Sequence, residues 1–208
     1  MGLFTKFLNQ TRKPEGFLGR VMLRGMSFGH ASVADWAMSV LDIAEPSEII
    51  ELGCGNGRDS GELMKKYPAP RLTALDYSPL SVERTKANNK DMIVAGRLEV
   101  VEGDVSRLEL APGKFDLATA FETIYFWPGL EHCFAEVARV LKSGGHFMIV
   151  SESDGLDDIT RWFQQRIDGM NVYTSDEIAD ALTKAGFVEV KVYHHESKPW
   201  LMVLAAKP

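Results

Sequence analysis

The sequence predicts an α/β protein built on a mostly parallel sheet, and three observations carry that expectation. Strand and helix signals alternate from Ile49 to the C-terminus. A glycine cluster, Gly53-Cys54-Gly55-Asn56-Gly57, stands between a short apolar run and an amphipathic segment, the place where open sheets bind ligands at the carboxyl ends of strands. The last two strand signals are joined only by His194 to Pro199, too few residues for a parallel crossover, so they form an antiparallel hairpin.

The chain has 208 residues, the size of one large domain. Hydrophobic residues at 45% and charged residues at 25% match globular composition and exclude a disordered or fibrous protein. The 23 Lys and Arg against 29 Asp and Glu give a net charge of −6, so the surface repels a polyanion and nucleic acid is not an expected partner. Two cysteines, Cys54 and Cys133, make no disulfide framework, and no His, Cys or carboxylate set has metal-ligand spacing. No metal is expected. No apolar run approaches the ~20 residues of a membrane span, and the first ten residues lack a signal-peptide core. A cytoplasmic protein without stable membrane insertion is the expectation.

Leu3, Phe4, Phe7 and Leu8 repeat at helical spacing and suggest a short amphipathic arm, followed by a polar loop from Asn9 to Glu15. Ser32 and Asp35 read as a capping pair for a helix carrying Val33, Trp36, Ala37, Val40 and Leu41, closed by Pro46. Residues 1–45 are thus expected to be an arm and helix covering the active site of a domain spanning 46–208. Ile49, Ile50 and Leu52 form the first strand, and Leu72 to Asp76 the second, with a helix over Arg58 to Tyr67 between them. Ser78-Pro79 is an N-cap with proline at the first helical position. Leu98 to Val101, Phe115 to Phe121 and Gly145 to Val150 are further strands, with a helix striped by Leu130, Phe134, Val137 and Leu141 before the last. Thr174 with Glu177 forms a capping box and Gly186 supplies the stop.

The glycine cluster lets the backbone turn sharply and approach a ligand with no side chains in the way. Nineteen residues beyond Gly57, Asp76 ends the second strand, where a carboxylate can accept both hydroxyls of a ribose. Arg58 stands where the dinucleotide fingerprint needs glycine, which disfavours a nicotinamide cofactor. Gly103-Asp104-Val105 ends the third strand with a second carboxylate, placed to accept from an exocyclic amino group.

Together these motifs resemble the class I S-adenosylmethionine-dependent methyltransferases, in particular the small-molecule branch that includes the ubiquinone and menaquinone biosynthesis enzymes. Glu51 to Gly57 is similar to that family's first motif. Phe115-Asp116-Leu117 and Leu141-Lys142-Ser143-Gly144-Gly145 resemble its later pair, with Ser143 where proline is usual. The resemblance implies a Rossmann-like seven-stranded sheet of order 3-2-1-4-5-7-6 with strand 7 antiparallel, helices on both faces and S-adenosylmethionine as cofactor. Carried over residue by residue, Glu51, Gly53, Gly55 and Gly57 form the loop at the methionine part, Asp76 holds the ribose, Asp104 the adenine amino group, and Tyr77 and Val105 flank the adenine, with Phe121 beside them. Cys54 reads as a small filler of the turn.

The acceptor side is read from Phe121-Glu122-Thr123-Ile124-Tyr125-Phe126-Trp127-Pro128, four aromatics in seven residues at the carboxyl edge of the sheet. They suit an apolar or aromatic small molecule, or they pack beneath the loop. Glu122 is the candidate acid or base, with Tyr125 beside it, and the alternative is a solvated loop carboxylate. His30 is a candidate base for a hydroxyl acceptor, or a helix-start residue. Arg161, Trp162 and Tyr173 either face the acceptor or pack. The implied activity is methyl transfer to oxygen or carbon of a small molecule. The competing readings are a cofactor-binding module without turnover and, disfavoured by Arg58, a nicotinamide-dependent oxidoreductase.

Overall fold

The computed structural model describes residues 7–68 and 70–208. Seven strands make one sheet in the order β3-β2-β1-β4-β5-β7-β6. They are β1 (Glu48–Leu52), β2 (Arg71–Asp76), β3 (Leu98–Glu102), β4 (Phe115–Phe121), β5 (Leu141–Ser151), β6 (Val188–His194) and β7 (Leu201–Ala206). β1 to β5 are parallel, and β7 runs antiparallel to both β5 and β6, as the short connection between the last two strands requires. The helices described are α1 (Gly16–Gly29), α2 (Ala31–Val40), α3 (Arg58–Lys66), α4 (Pro79–Asn88), α5 (Lys90–Val94), α6 (Leu130–Val140), α7 (Asp158–Gln164) and α8 (Ser175–Lys184).

The chain builds β1, β2 and β3 toward one edge, then returns to place β4 on the other side of β1. This reversal leaves a crevice at the carboxyl ends of β1 and β4, where the loop after Leu52 and the segment after Phe121 face each other. The central strands are apolar on both faces because helices cover both. On one side Phe115, Phe134 and Phe147 are fully buried, with Phe134 and Phe147 edge to face at 5.4 Å. On the other, Ile49, Leu63, Met64 and Leu72 pack with Val33 and Ala37 of α2. Asp116 ties the strands together: its carboxylate accepts from the amides of Ser47 and Glu48 at 3.0 and 2.9 Å and from Lys142 at 2.7 Å.

Most helix boundaries follow their local signals. Ser78 accepts from the Ser81 amide at the start of α4, and the capping box of α8 has both bonds, Glu177 N to Thr174 Oγ1 at 3.3 Å and Thr174 N to Glu177 Oε2 at 2.8 Å. Thr174→Ala removes one of them, so it should cost about 1 kcal/mol, read as a fall of roughly 2–4 °C in Tm by thermal melting; an unchanged Tm would show the cap to be irrelevant.

Two expectations need correction. Ser32 does not cap α2: His30 occupies the N-cap position, with no side-chain cap bond. The stretch after Glu15, which carries no clear helix signal, is helix α1 with four glycines, Gly16, Gly19, Gly25 and Gly29. Glycine disfavours helix by about 1 kcal/mol per interior position, but packing overrides that. A Cβ on Gly19 would meet the Pro14 carbonyl carbon at 2.7 Å, so glycine is what lets the preceding strap, Leu8 to Pro14, lie against α1. Leu3 and Phe4 of the expected arm lie outside the described residues, while Leu8 is buried. Among the described residues no helix is long and apolar enough to cross a membrane.

Candidate active site

A cavity of about 790 Å³ occupies the crevice at the strand ends. Its walls come from the glycine loop, the ends of β2, β3 and β4, the strap with α1, and the segment around α7. Residues between Phe7 and Ala34 contribute to these walls.

At one end the geometry is made by backbone. Gly53 has φ +85°, and a Cβ there would lie 2.3 Å from Thr123 Oγ1, so the loop passes close against the segment after β4 only because glycine is present. The Gly53 and Cys54 amides both donate to the Leu75 carbonyl, at 2.7 and 3.0 Å, which folds the loop over the end of β2. That brings Asp76 under it. Its Oδ2 accepts from the Gly55 amide and its Oδ1 from the Ser78 amide, each at 2.9 Å. Burial raises its pKa, while the Ser78 and Gly55 amides pull it down. The Ser81 hydroxyl and the Tyr77 amide act on the same carboxylate, and Asp76 lines the cavity. Asp104 lines the same end, with Oδ1 taken by the Ser106 amide and hydroxyl at 2.8 and 2.7 Å. Gly55, Tyr77, Val105 and Phe121 line it as well. The Tyr77 hydroxyl donates to the Arg12 carbonyl, so the strap is latched across this end.

Two expected cofactor residues do not line the cavity. The period of two along β1 turns Glu51 to the same face as Ile49, beneath α3, where its carboxyl is buried and accepts from the Ser60 hydroxyl. Burial, with the charge of Asp59 adding, holds its pKa well above the usual range. Gly57 is the left-handed residue that starts α3, with Asn89 and Thr85 occupying the space of a Cβ. Both residues build the loop and are absent from the cavity lining. Cys54 is buried against Thr85, as a turn filler would be. Arg58 is spent in ion pairs with Asp35 and Asp59, the latter at 2.6 Å, which pin α2 to α3.

At the other end stand the groups able to move a proton. Glu122 leaves β4 with φ +53°, an uncommon backbone for a residue other than glycine. Its Oε2 accepts from the Tyr125 hydroxyl at 2.8 Å, and Tyr125 also lies 2.7 Å from Ser151 Oγ. Its Oε1 is out of reach of solvent and has no hydrogen-bond partner among the described residues. Burial raises the Glu122 pKa to about 7; His30 opposes, Glu152 adds and Tyr125 opposes. Glu152, a residue the sequence did not single out, lies 3.5 Å from His30 Nε2. Burial alone would lower the His30 pKa, but Glu152, Glu122 and Asp59 outweigh it and raise it to about 9.

His30 is thus where the sequence placed it, at the cavity, but the expectation of a basic imidazole is corrected: near neutrality it is a cation between carboxylates and has no lone pair to accept a proton. The absence of a metal-type set is amended too. His30, Glu122 and Glu152 hold ligand-type atoms within 4.8 Å of one another, a gathering made by the fold from three distant segments.

The aromatic segment does both things expected of it. Phe121, Tyr125, Phe126 and Trp127 all line the cavity, and Trp127 also stacks on Phe147 in the core at 6.2 Å. Of the residues after β5, the lining ones are Glu152, Ser153, Thr160, Phe163, Ile167 and Met170; Arg161, Trp162 and Tyr173 are not among them.

A seven-stranded sheet of this order, with the last strand antiparallel and an acid at the tip of β2 beneath a glycine loop, defines a class of nucleoside-binding transferase. Residues 50–149 match the family described as "Methyltransferase domain". Those residues are a methyltransferase domain, and the sheet order is that of the class I S-adenosylmethionine-dependent methyltransferase fold. It is 31% identical over 172 residues to an uncharacterized chloroplastic methyltransferase (At2g41040) of Arabidopsis thaliana, covering 79% of this chain and 48% of that protein. A malonyl-[acyl-carrier protein] O-methyltransferase of Geobacter sulfurreducens is 28% identical, over 73% of this chain and 60% of that one. The chain thus spans about half of the length of the first of these relatives and three fifths of the second. In fold it is similar to the putative methyltransferase of Haloferax volcanii solved in complex with the Trm112 methyltransferase activator, with a TM-score of 0.79 and 19% identity over 100% of this chain and 99% of that one.

Proposed function

We propose that the chain transfers a methyl group from S-adenosylmethionine to an oxygen or carbon acid of an apolar small molecule, with Glu122 as the proton acceptor. The observation that carries this is Glu122 in the wall of a cavity lined by Phe121, Tyr125, Phe126 and Trp127, its pKa raised by burial to about 7.

The residues at the nucleoside end fit the cofactor. Asp76 would accept the two ribose hydroxyls, Asp104 Oδ2 the adenine amino group, and Tyr77 and Val105 would bound the ring, while Gly53 and Gly55 leave the backbone open to the amino-acid portion. When bound, the cofactor supplies an electrophilic methyl on a sulfonium whose charge vanishes as the new bond forms. The protein's contribution is mostly alignment, worth as much as ~7–11 kcal/mol when the reacting atoms are held in line. Phe121, Phe126 and Trp127 exclude water and flatten the acceptor against the cavity wall. Glu122, which lines the cavity, takes the acceptor's proton on its carboxylate. Tyr125 steadies the carboxylate through Oε2, and the His30 imidazolium, held by Glu152, keeps it ionised.

Titration calorimetry with S-adenosylhomocysteine tests the first half; no heat, after any co-purified ligand is removed, sinks the reading. An acceptor screen that follows S-adenosylhomocysteine release, with phenols, hydroquinones, enols and fatty acids, tests the second. Turnover with none of the apolar acceptors but with a small polar one would overturn the substrate class.

A further inference from the structure

Helix α1 is apolar on two faces. Met22, Leu23 and Met26 point into the cavity wall. On the opposite face Phe17 is 77% exposed, Leu18 and Val21 47% each, and Phe28 87%. Phe17, Val21 and Phe28 are spaced by one and by two turns, so they form one stripe on the outside of the helix. Helix α7 repeats the arrangement: Thr160 and Phe163 line the cavity, while Ile159, and Leu156 just before the helix, are 71% and 62% exposed. The strap before α1 and the turn after α7 are tied together, because Asn9 Nδ2 donates to Asp168 Oδ2 at 2.7 Å and the Asp168 amide donates to Asn9 Oδ1 at 3.0 Å. The segments that precede α1 and follow α7 are thus in contact, and both helices line the same cavity.

The strap and α1 are basic, whereas residues 152–168 around α7 carry Glu152, Asp154, Asp157, Asp158 and Asp168 against Arg161 and Arg166. Arg12, Lys13, Arg20 and Arg24 stand against the single acid Glu15 between Thr11 and Gly29, in a protein of net charge −6. Arg20 and Arg24 sit among the exposed apolar residues of α1, and among the described residues Arg20 makes a long ion pair, 3.9 Å, with exposed Glu83. A helix that carries aromatic and aliphatic residues outward with arginines interleaved is suited to lie in the plane of an anionic lipid surface, rings among the acyl chains and guanidinium groups at the phosphates. It is far too short to span one.

We propose that α1, with the basic strap before it, docks the protein on an anionic membrane surface, and that the acceptor is a lipophilic molecule drawn from that surface into the cavity. The docking stands on α1 and the strap alone; the origin of the acceptor rests on the reading of the cavity as a methyl-acceptor site. Helix α1 would then touch lipid with one face and the cavity with the other. That is the simplest route for an apolar molecule that would otherwise have to cross water.

The experiment is co-sedimentation of the full chain with vesicles of phosphatidylcholine alone and of phosphatidylcholine with phosphatidylglycerol. Binding is expected to the mixed vesicles, to weaken on adding salt, and to be absent from the neutral ones at physiological ionic strength. The triple variant Phe17→Ser/Val21→Ser/Phe28→Ser and the double variant Arg20→Glu/Arg24→Glu should each bind at least about tenfold more weakly. S-adenosylhomocysteine affinity, measured on both variants, should stay within about twofold and so reports that the fold and the cofactor end are intact. Failure of vesicle binding with that affinity preserved overturns the docking and leaves the proposed activity standing; absence of nucleoside binding in the unsubstituted chain overturns the activity instead. Equal vesicle binding by the variants, or a dimer in solution that the triple variant abolishes, would also overturn the proposal, the latter because the stripe would then face a second copy.

Discussion

Glu122→Gln is expected to lower kcat by about 10²–10⁴-fold while leaving S-adenosylhomocysteine affinity nearly unchanged, because the substitution keeps the shape and the Tyr125 contact but removes the proton acceptor. The pH profile is the sharper test. The base works as a carboxylate, so kcat should rise with pH through about 7, where burial holds Glu122, and then level off. His30 stays protonated until about 9 and pulls Glu122 down, so removing that cation in His30→Asn should move the midpoint upward. A wild-type rate that does not change between pH 6 and 8, measured with the cofactor saturating, would remove Glu122 from the proposed chemistry. So would an unaltered midpoint in the His30 variant, as regards the role of the imidazolium.

Asp76→Asn should weaken S-adenosylhomocysteine binding by about 100-fold or more. Two hydrogen bonds to a charged acceptor are at stake, each worth roughly 1.5–3 kcal/mol, and the new amide group would aim hydrogens at the Gly55 or Ser78 amide. Calorimetry measures the loss, and a thermal melt without ligand separates damage to the turn from damage to binding. Asp104→Asn should cost less, since that carboxylate is exposed and only one of its oxygens faces the ligand end. If the order of the two variants is reversed, the ribose and the adenine have been assigned to the wrong acids.

Some of this site was legible because the constraint is local. A residue with φ above zero that also comes within van der Waals reach of another segment must be glycine, and Gly53 meets both conditions. An acid one residue past a buried apolar run can only lie at the strand's end, which is where Asp76 is. Other parts were misread for a local reason as well: Glu51 borders the glycine loop, but the alternation of the strand turns it toward Ser60 and away from the cavity. Helix α1 was hidden by its glycines, whose cost is offset by contacts with the strap that no periodicity reports.

What the sequence by itself determined is the α/β sheet, its terminal hairpin and the nucleoside end, because backbone torsion, strand period and connection length act over a few residues. The tertiary structure alone decided the acceptor end. Glu152 reaches His30 and Glu122 only because β4 and β5 run in register, Phe121 beside Val150, and because α1 closes over their tips. The pKa values of His30 and Glu122 come from burial and from charges on segments far apart in the chain, and such distances exist only once the chain has folded.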